Sequence, residues 1–379
     1  MTDWKIPLSD LSFDQQEIES VVKILQSGWL TMGSATQEFE AKFAAWNDIP
    51  FAVALSSCTA ALHLACIALG LGPGDEVILP ALTFVATANA VRYTGATPVF
   101  ADICSQDDLT IAPASIASLI TERTKAIIVM HYAGYPCNMP EIQKIAGKFN
   151  LAIIEDAAHA VGTQLNGTYM GTVGDIGCFS FFSNKNLVTG EGGMLVTRDP
   201  EIAERAKRLR SHGMTTLTWD RHKGHASSYD VVDLGYNYRL DEIRAALGIS
   251  QLAKLERNNQ LRRSLTRHYH ARLAEKCPAV HVPFSSHPGT TSAHIMPVLL
   301  PQEFDRNLVI EHLKKNQIQT SIHYPPIYRF DSYHSNHQEI NSLPITENIA
   351  ARELTLPLYP KLTTEQINDV VDGLAQALI

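Results

Sequence analysis

A chain of 379 residues that is 45% hydrophobic can bury most of the surface its extended form exposes, which excludes a disordered or fibrous protein. Its 31 Lys and Arg against 39 Asp and Glu leave a formal net charge of −8, so no basic surplus faces nucleic-acid phosphates, and nucleic acid is not an expected partner. The six cysteines (Cys58, Cys66, Cys104, Cys137, Cys178, Cys277) form no CxxC pair and read as reduced, mostly buried thiols.

Residues 1–7 hold neither a basic nor an apolar leader segment, and a cytoplasmic location is expected. Residues 12–25 predict an amphipathic helix, opened by a capping box of Ser12 and Gln15, with Ile18, Val21, Val22 and Leu25 on one face. Residues 51–73 carry no formal charge and are long enough to span a bilayer. They also hold Ser56, Ser57, Thr59, His63 and two glycines, so strand, turn and buried helix are expected rather than a membrane span.

From residue 51 short apolar runs alternate with helical patterns: strands at 52–55, 77–79, 98–101, 126–130 and 152–154, helices at 59–69, 84–93, 114–120 and 140–149. This alternation predicts an α/β fold with a mostly parallel central sheet between helices. Two further runs, 178–182 and 194–197, fit closing strands of the same sheet. Residues 240–275 predict a long connecting helix. Segments 294–300, 306–315, 319–323 and 364–378 predict a smaller C-terminal α/β domain. The expected division is 1–240 for the large domain with its N-terminal segment and 241–379 for the helix and small domain.

In such sheets ligands sit at the carboxyl ends of strands, and four places there carry chemistry. Ser56-Ser57-Cys58-Thr59 runs into a helix start, a cradle for an anion or an ordinary N-cap. Glu155 and Asp156 leave a run expected to be buried, where a carboxylate needs a partner: a cationic ring nitrogen, an arginine or a helix end. Lys185 follows the aromatic strand FSFF, and a desolvated lysine offers a neutral amine to an aldehyde; most lysines are simply solvated. Asn237 and Arg239, in LGYNYRL before the long helix, are site residues or caps. Anion cradle, carboxylate and lysine are together the three requirements of pyridoxal phosphate (PLP), and Phe84 after another strand offers a ring to stack on it. No metal site is expected.

With these residues in place the chain resembles the DegT/DnrJ/StrS family of sugar aminotransferases, which are fold-type I PLP enzymes. The likeness runs through SGWLTMG (27–33), SSCTAALH (56–63), GPGDEVILPALTFVATANA (72–90), HYAG (131–134), EDAAHAVGT (155–163), SFFSNKNLVTGEGG (180–193) and LGYNYRL (234–240). Among members it looks most like enzymes aminating a nucleotide-linked 4-keto sugar, such as the one making UDP-4-amino-arabinose. The resemblance implies that Lys185 holds the cofactor's aldehyde, Asp156 its ring nitrogen, and Ser180 with Cys58 and Thr59 its phosphate. It further implies that His159 sits over the ring, that Phe84 stacks, and that Asn237 reaches the cofactor phosphate of the neighbouring subunit, in a homodimer with shared sites. An amino-acid donor, glutamate, and a nucleoside-diphosphate keto sugar are the implied substrates. Trp29, Thr31, Arg239, His323 and Tyr324 are candidate substrate contacts that serve equally well as packing and capping residues.

One departure stands out: Phe182 replaces a frequent histidine, and Ser183-Asn184 a more usual Pro-Thr. Rival functions are an inosose aminotransferase or keto-sugar dehydratase on the same cofactor, or a PLP-binding sensor without turnover. Some dehydrating relatives replace the lysine with histidine, and this chain keeps Lys185.

Overall fold

The structure is a computed structural model that describes residues 4–215, 229–334 and 343–379. Two helices open the chain, α1 (Gln15–Ser27) and α2 (Ser34–Trp46), followed by β1 (Phe51–Leu55) and α3 (Cys58–Ala68). The expected alternation then appears as β2 (Glu76–Pro80), α4 (Val85–Tyr93), β3 (Thr97–Ala101), α5 (Pro113–Leu119), β4 (Thr124–Met130), α6 (Met139–Phe149) and β5 (Ala152–Asp156). A two-residue hairpin, β6 (Gln164–Leu165) with β7 (Thr168–Tyr169), precedes β8 (Ile176–Ser180), β9 (Gly193–Thr197) and α7 (Pro200–Leu209).

The seven-stranded sheet has the order β1-β9-β8-β5-β4-β2-β3. β9 runs antiparallel to both its neighbours and the other pairings are parallel. The middles of the strands are apolar and buried on both sides because helices cover both faces of the sheet. Alternate residues therefore feed two cores: Ile127 and Val129 of β4 join the core that holds Phe39, Phe43 and Phe179, whereas Ala126 and Ile128 join the one that holds Leu64, Val77 and Leu195.

α8 (Glu242–Lys276) has 35 residues and spans about 50 Å. Its C-terminal half supplies Tyr269 and Leu273 to the core of a second unit, built on the antiparallel pair β10 (Met296–Leu299) and β11 (Glu353–Leu356). Helices α9 (Arg306–Lys315), α10 (Pro344–Arg352) and α11 (Thr364–Ala377) complete this unit. Ile6, from the chain's start, is fully buried in the same core and pairs with Ile318.

Two expectations change. The capping box of α1 is Asp14 with Glu17, two residues later than Ser12 and Gln15, because a carboxylate at the helix start also meets the helix dipole. Ile18, Val22 and Leu25 stand exposed, and the buried residue is Glu17, which bonds Gln251 and Lys254 of α8. Residues 319–323, expected in the small unit, contribute to it a single bridge from Ser321 to Thr355. The uncharged stretch 51–73 is strand and short helix, and among the described residues no helix is long and apolar enough to cross a membrane.

Candidate active site

The carboxyl ends of β1, β8, β5, β4 and β2 lie on one edge of the sheet. The antiparallel β9 begins there, with Gly193 between Leu55 and Ser180. A cavity of about 350 Å³ opens on this edge. Its walls take Cys58, Thr59, Phe84, Asp156, His159, Ser180 and Lys185 from the large unit, and His323 and Tyr324 from the small one.

The anion cradle is the start of α3. Ser57 caps the helix by accepting from the Ala60 N–H at 3.1 Å, and the first-turn N–H groups of Cys58 and Thr59 have no partner within the helix. Gly193 allows this helix start to seat on the sheet: a Cβ there would lie 2.4 Å from the Ser57 carbonyl carbon and 2.5 Å from the Cys58 nitrogen. Ser180, at the end of β8, stands beside it, with its hydroxyl accepting from the Phe182 N–H at 3.4 Å.

The two adjacent carboxylates separate because neighbouring residues of a strand face opposite ways. Glu155 points away from the cavity and is saturated, accepting from His131 Nε2 at 2.8 Å and from the N–H groups of Gly171, Val173 and Gly174 at 2.7 Å each. Asp156 faces the cavity. It accepts from Thr87 Oγ1 at 2.7 Å and the Ala158 N–H at 3.1 Å. Burial pushes its acid up, against the pull of these donors and of the Lys185 charge.

Lys185 sits on the turn after β8, where its N–H donates to the Phe182 carbonyl at 2.9 Å. Burial lowers its ammonium from 10.5 to about 8, so much of the amine is neutral at mildly alkaline pH. Its Nζ lies 3.4 Å from Nε2 of His294. His159 packs against that ring with centroids 4.2 Å apart and meets the Tyr324 hydroxyl at 2.9 Å through Nε2. Burial holds His159 well below the usual histidine range, helped by the nearby Lys185 charge. His323 is held at about 3 by burial; its N–H donates to Glu353 and its Nδ1 meets Thr355 Oγ1 at 2.8 Å.

The residues fit PLP. A helix start, a buried carboxylate and a lysine that loses its proton near pH 8 line one cavity. Two lining residues also carry buried atoms, His159 Nδ1 and Asn184 Oδ1, without a hydrogen-bond partner among the described residues. Phe84 caps α4 and remains 54% exposed, its ring 5.8 Å from that of Tyr324.

Four expected residues lie outside this cavity. Trp29 and Thr31 are on the loop between α1 and α2, Trp29 half-buried and Thr31 exposed. Asn237 is exposed and pairs by its backbone with Ser211, and Arg239 bridges to Leu55. Thr87, His294 and Glu353 were not read from the sequence. Thr87 had a signal, standing three residues after Phe84 on the helix that leaves the same strand; His294 and Glu353 come from the second unit and had none.

Comparison with known proteins extends this geometry to the whole chain. The model of the DegT/DnrJ/EryC1/StrS aminotransferase family matches residues 12–375. The spore coat polysaccharide biosynthesis protein SpsC of Bacillus subtilis is 38% identical over 375 residues, 97% of this chain and 96% of SpsC. Spr1654 of Streptococcus pneumoniae in its PLP-form superimposes with a TM-score of 0.91 at 30% identity, covering 98% of each chain. DesI in the presence of its TDP-sugar product gives 0.88 at 31% identity, covering 98% of this chain and 92% of DesI. The lysine, the carboxylate and the helix start thus stand in a chain that belongs to the DegT/DnrJ/EryC1/StrS aminotransferase family, as a PLP-dependent sugar aminotransferase.

Proposed function

We propose that the protein takes the amino group of an amino acid, L-glutamate, and places it on the keto carbon of a nucleoside-diphosphate sugar of the 4-keto-6-deoxy type, for amino-sugar and polysaccharide synthesis in the cytoplasm. The observation that carries this reading is the enclosure of Lys185, Asp156 and the α3 start in one cavity. The TDP-sugar product of DesI and the polysaccharide role of SpsC support the acceptor class. The likeness to UDP-4-amino-arabinose enzymes belongs to the same reading as one member of that class.

PLP, when bound, supplies an electron sink for the carbanion formed at the amino-acid carbon. The chain's residues do the rest. Cys58, Thr59 and Ser180 hold a phosphate by N–H and hydroxyl groups. Asp156, oriented by Thr87 and the Ala158 N–H, holds a proton on a ring nitrogen. Phe84 and His159, both lining the cavity, would pack against the ring, and Lys185 would take and return the proton at the substrate carbon. His323 and Tyr324, which line the cavity, contact sugar or diphosphate, and Trp29, Thr31 and Arg239, which lie outside it, contact the part of the substrate that extends beyond it. Asn237 completes the phosphate site of a second subunit.

The test is direct. The purified yellow protein should lose its colour on addition of glutamate, and a panel of nucleotide keto sugars should then yield an amino sugar detected by mass. Lys185→Ala should abolish turnover while the protein stays folded by circular dichroism. Near wild-type turnover in that variant would remove the lysine from the mechanism.

A further inference from the structure

Lys185 is held by a chain of side-chain amides that crosses from one unit to the other. Asn259 of α8 donates from Nδ2 to the Val161 carbonyl at 2.9 Å. Asn186, next to Lys185, donates from Nδ2 to the Ser292 carbonyl and to Asn259 Oδ1, both at 2.8 Å. A carbonyl only accepts, so each amide has one possible orientation. The Oδ1 of Asn186 then faces Nδ1 of His294 at 2.9 Å, and because that oxygen cannot donate, the hydrogen resides on Nδ1.

The ring is placed as firmly as it is oriented. Arg262 of α8 donates to the carbonyl of His294 at 3.1 Å and to that of Leu358 at 2.9 Å. Gly162 leaves the space that Asn259 occupies, since a Cβ there would lie 2.5 Å from Asn259 Nδ2. His294 is only 3% exposed, and its ionisable neighbours His159, Lys185, Arg262 and His323 all oppose a second positive charge.

We propose that His294 is a positioning residue for Lys185, a neutral imidazole locked with its Nε2 lone pair toward Nζ, so that it accepts an amine N–H and leaves the amine's own lone pair turned to the cavity. A neutral amine has two N–H donors and one lone pair. A ring that only accepts engages a donor and spares the lone pair, which is the part of the amine that attacks an aldehyde or takes a proton. The opposite tautomer would donate to that lone pair and block it. The inference rests on the reading of Lys185 as the reactive amine.

The test is made on the apo-protein labelled with ¹⁵N-histidine, with His294 assigned by the signals lost in His294→Gln. Near pH 8 its ring should show a protonated Nδ1 and a bare Nε2. A proton on Nε2, alone or with one on Nδ1, would overturn the proposal. Asn186→Leu removes the acceptor that fixes the ring. It should let the Nε2–H form appear and slow the uptake of PLP, followed by the yellow absorbance, by about tenfold; an unchanged tautomer with an unchanged rate refutes the relay. If that variant does not fold, the wild-type ring spectrum decides alone. The spectrum needs no sugar acceptor, so an unsuccessful search for the substrate does not bear on it.

Discussion

Asp156 and Glu155 show how one residue's step along a strand separates structure from chemistry. Glu155 is fully bonded by His131 and three backbone N–H groups, whereas Asp156 keeps capacity toward the cavity. Asp156→Asn should therefore leave the fold intact and cut turnover far more than PLP affinity, whose loss should be about 1.5–3 kcal/mol for one charge-assisted hydrogen bond. A variant that loses affinity alone, by titration with PLP, would contradict the role. Lys185 has a pH signature of its own. A lysine whose folded value of about 8 lies below its unfolded 10.5 binds fewer protons in the native state between the two. Its contribution to stability is thus unfavourable below about pH 8 and is relieved as pH rises toward 10.5. Urea unfolding of the apo-protein should show Lys185→Met more stable than wild type at pH 7, by about 3 kcal/mol, with the gap closing by pH 10.5. A gap that widens with pH would show that the amine is not desolvated.

Among elements, α1 shows how a sequence pattern can be right in kind and wrong in placement. Two capping boxes overlap, Ser12 with Gln15 and Asp14 with Glu17, and the second forms. Its Glu17 side chain accepts from the Asp14 N–H at 2.8 Å and lies 2.5 Å from Lys254, tying the helix to α8. The apolar row Ile18, Val22 and Leu25, which suggested the buried face, is exposed. Glu17→Ala removes the buried carboxylate that meets Lys254 and Gln251, leaving Lys254 to Asp14 and the Ser12 carbonyl, and should cost about 1–3 kcal/mol in urea denaturation. Ile18→Ser should cost under about 0.5 kcal/mol. Reversal of that order would place the helix's buried face on the apolar row.

For the molecule as a whole, the small unit closes the cavity. His323 and Tyr324 reach it from beyond β10, and α8 ties both units through Asn259 and Arg262. The proposed dimer adds a further level, since Asn237 is exposed and outside the cavity of its own chain. Asn237→Asp would set a carboxylate against a phosphate and should inactivate, as Lys185→Ala does by removing the amine. When the two variants are dissociated, mixed and reassembled, each mixed dimer carries one site with both lesions and one with neither. Activity should then return to about a quarter of wild type for random pairing. Parental activity, with mixed dimers demonstrated by mass, would assign Asn237 to its own subunit.

The amino-acid sequence by itself determined the alternating strands and helices, the buried sheet, and the places where Asp156, Ser180 and Lys185 emerge. Each follows from contiguous residues: short apolar runs, bounded by turn residues and alternating with helical patterns, that read as buried strands, and polar residues at their ends. It also held Thr87, one turn beyond Phe84. What only the tertiary structure decided is which of two overlapping caps forms, which face of α1 is buried, and which distant groups meet Lys185. His294 lies more than a hundred residues from the lysine it contacts. No local period links two segments whose meeting depends on how β10 and α8 pack against the sheet, so the amide chain that orients the imidazole exists only once both units are folded together.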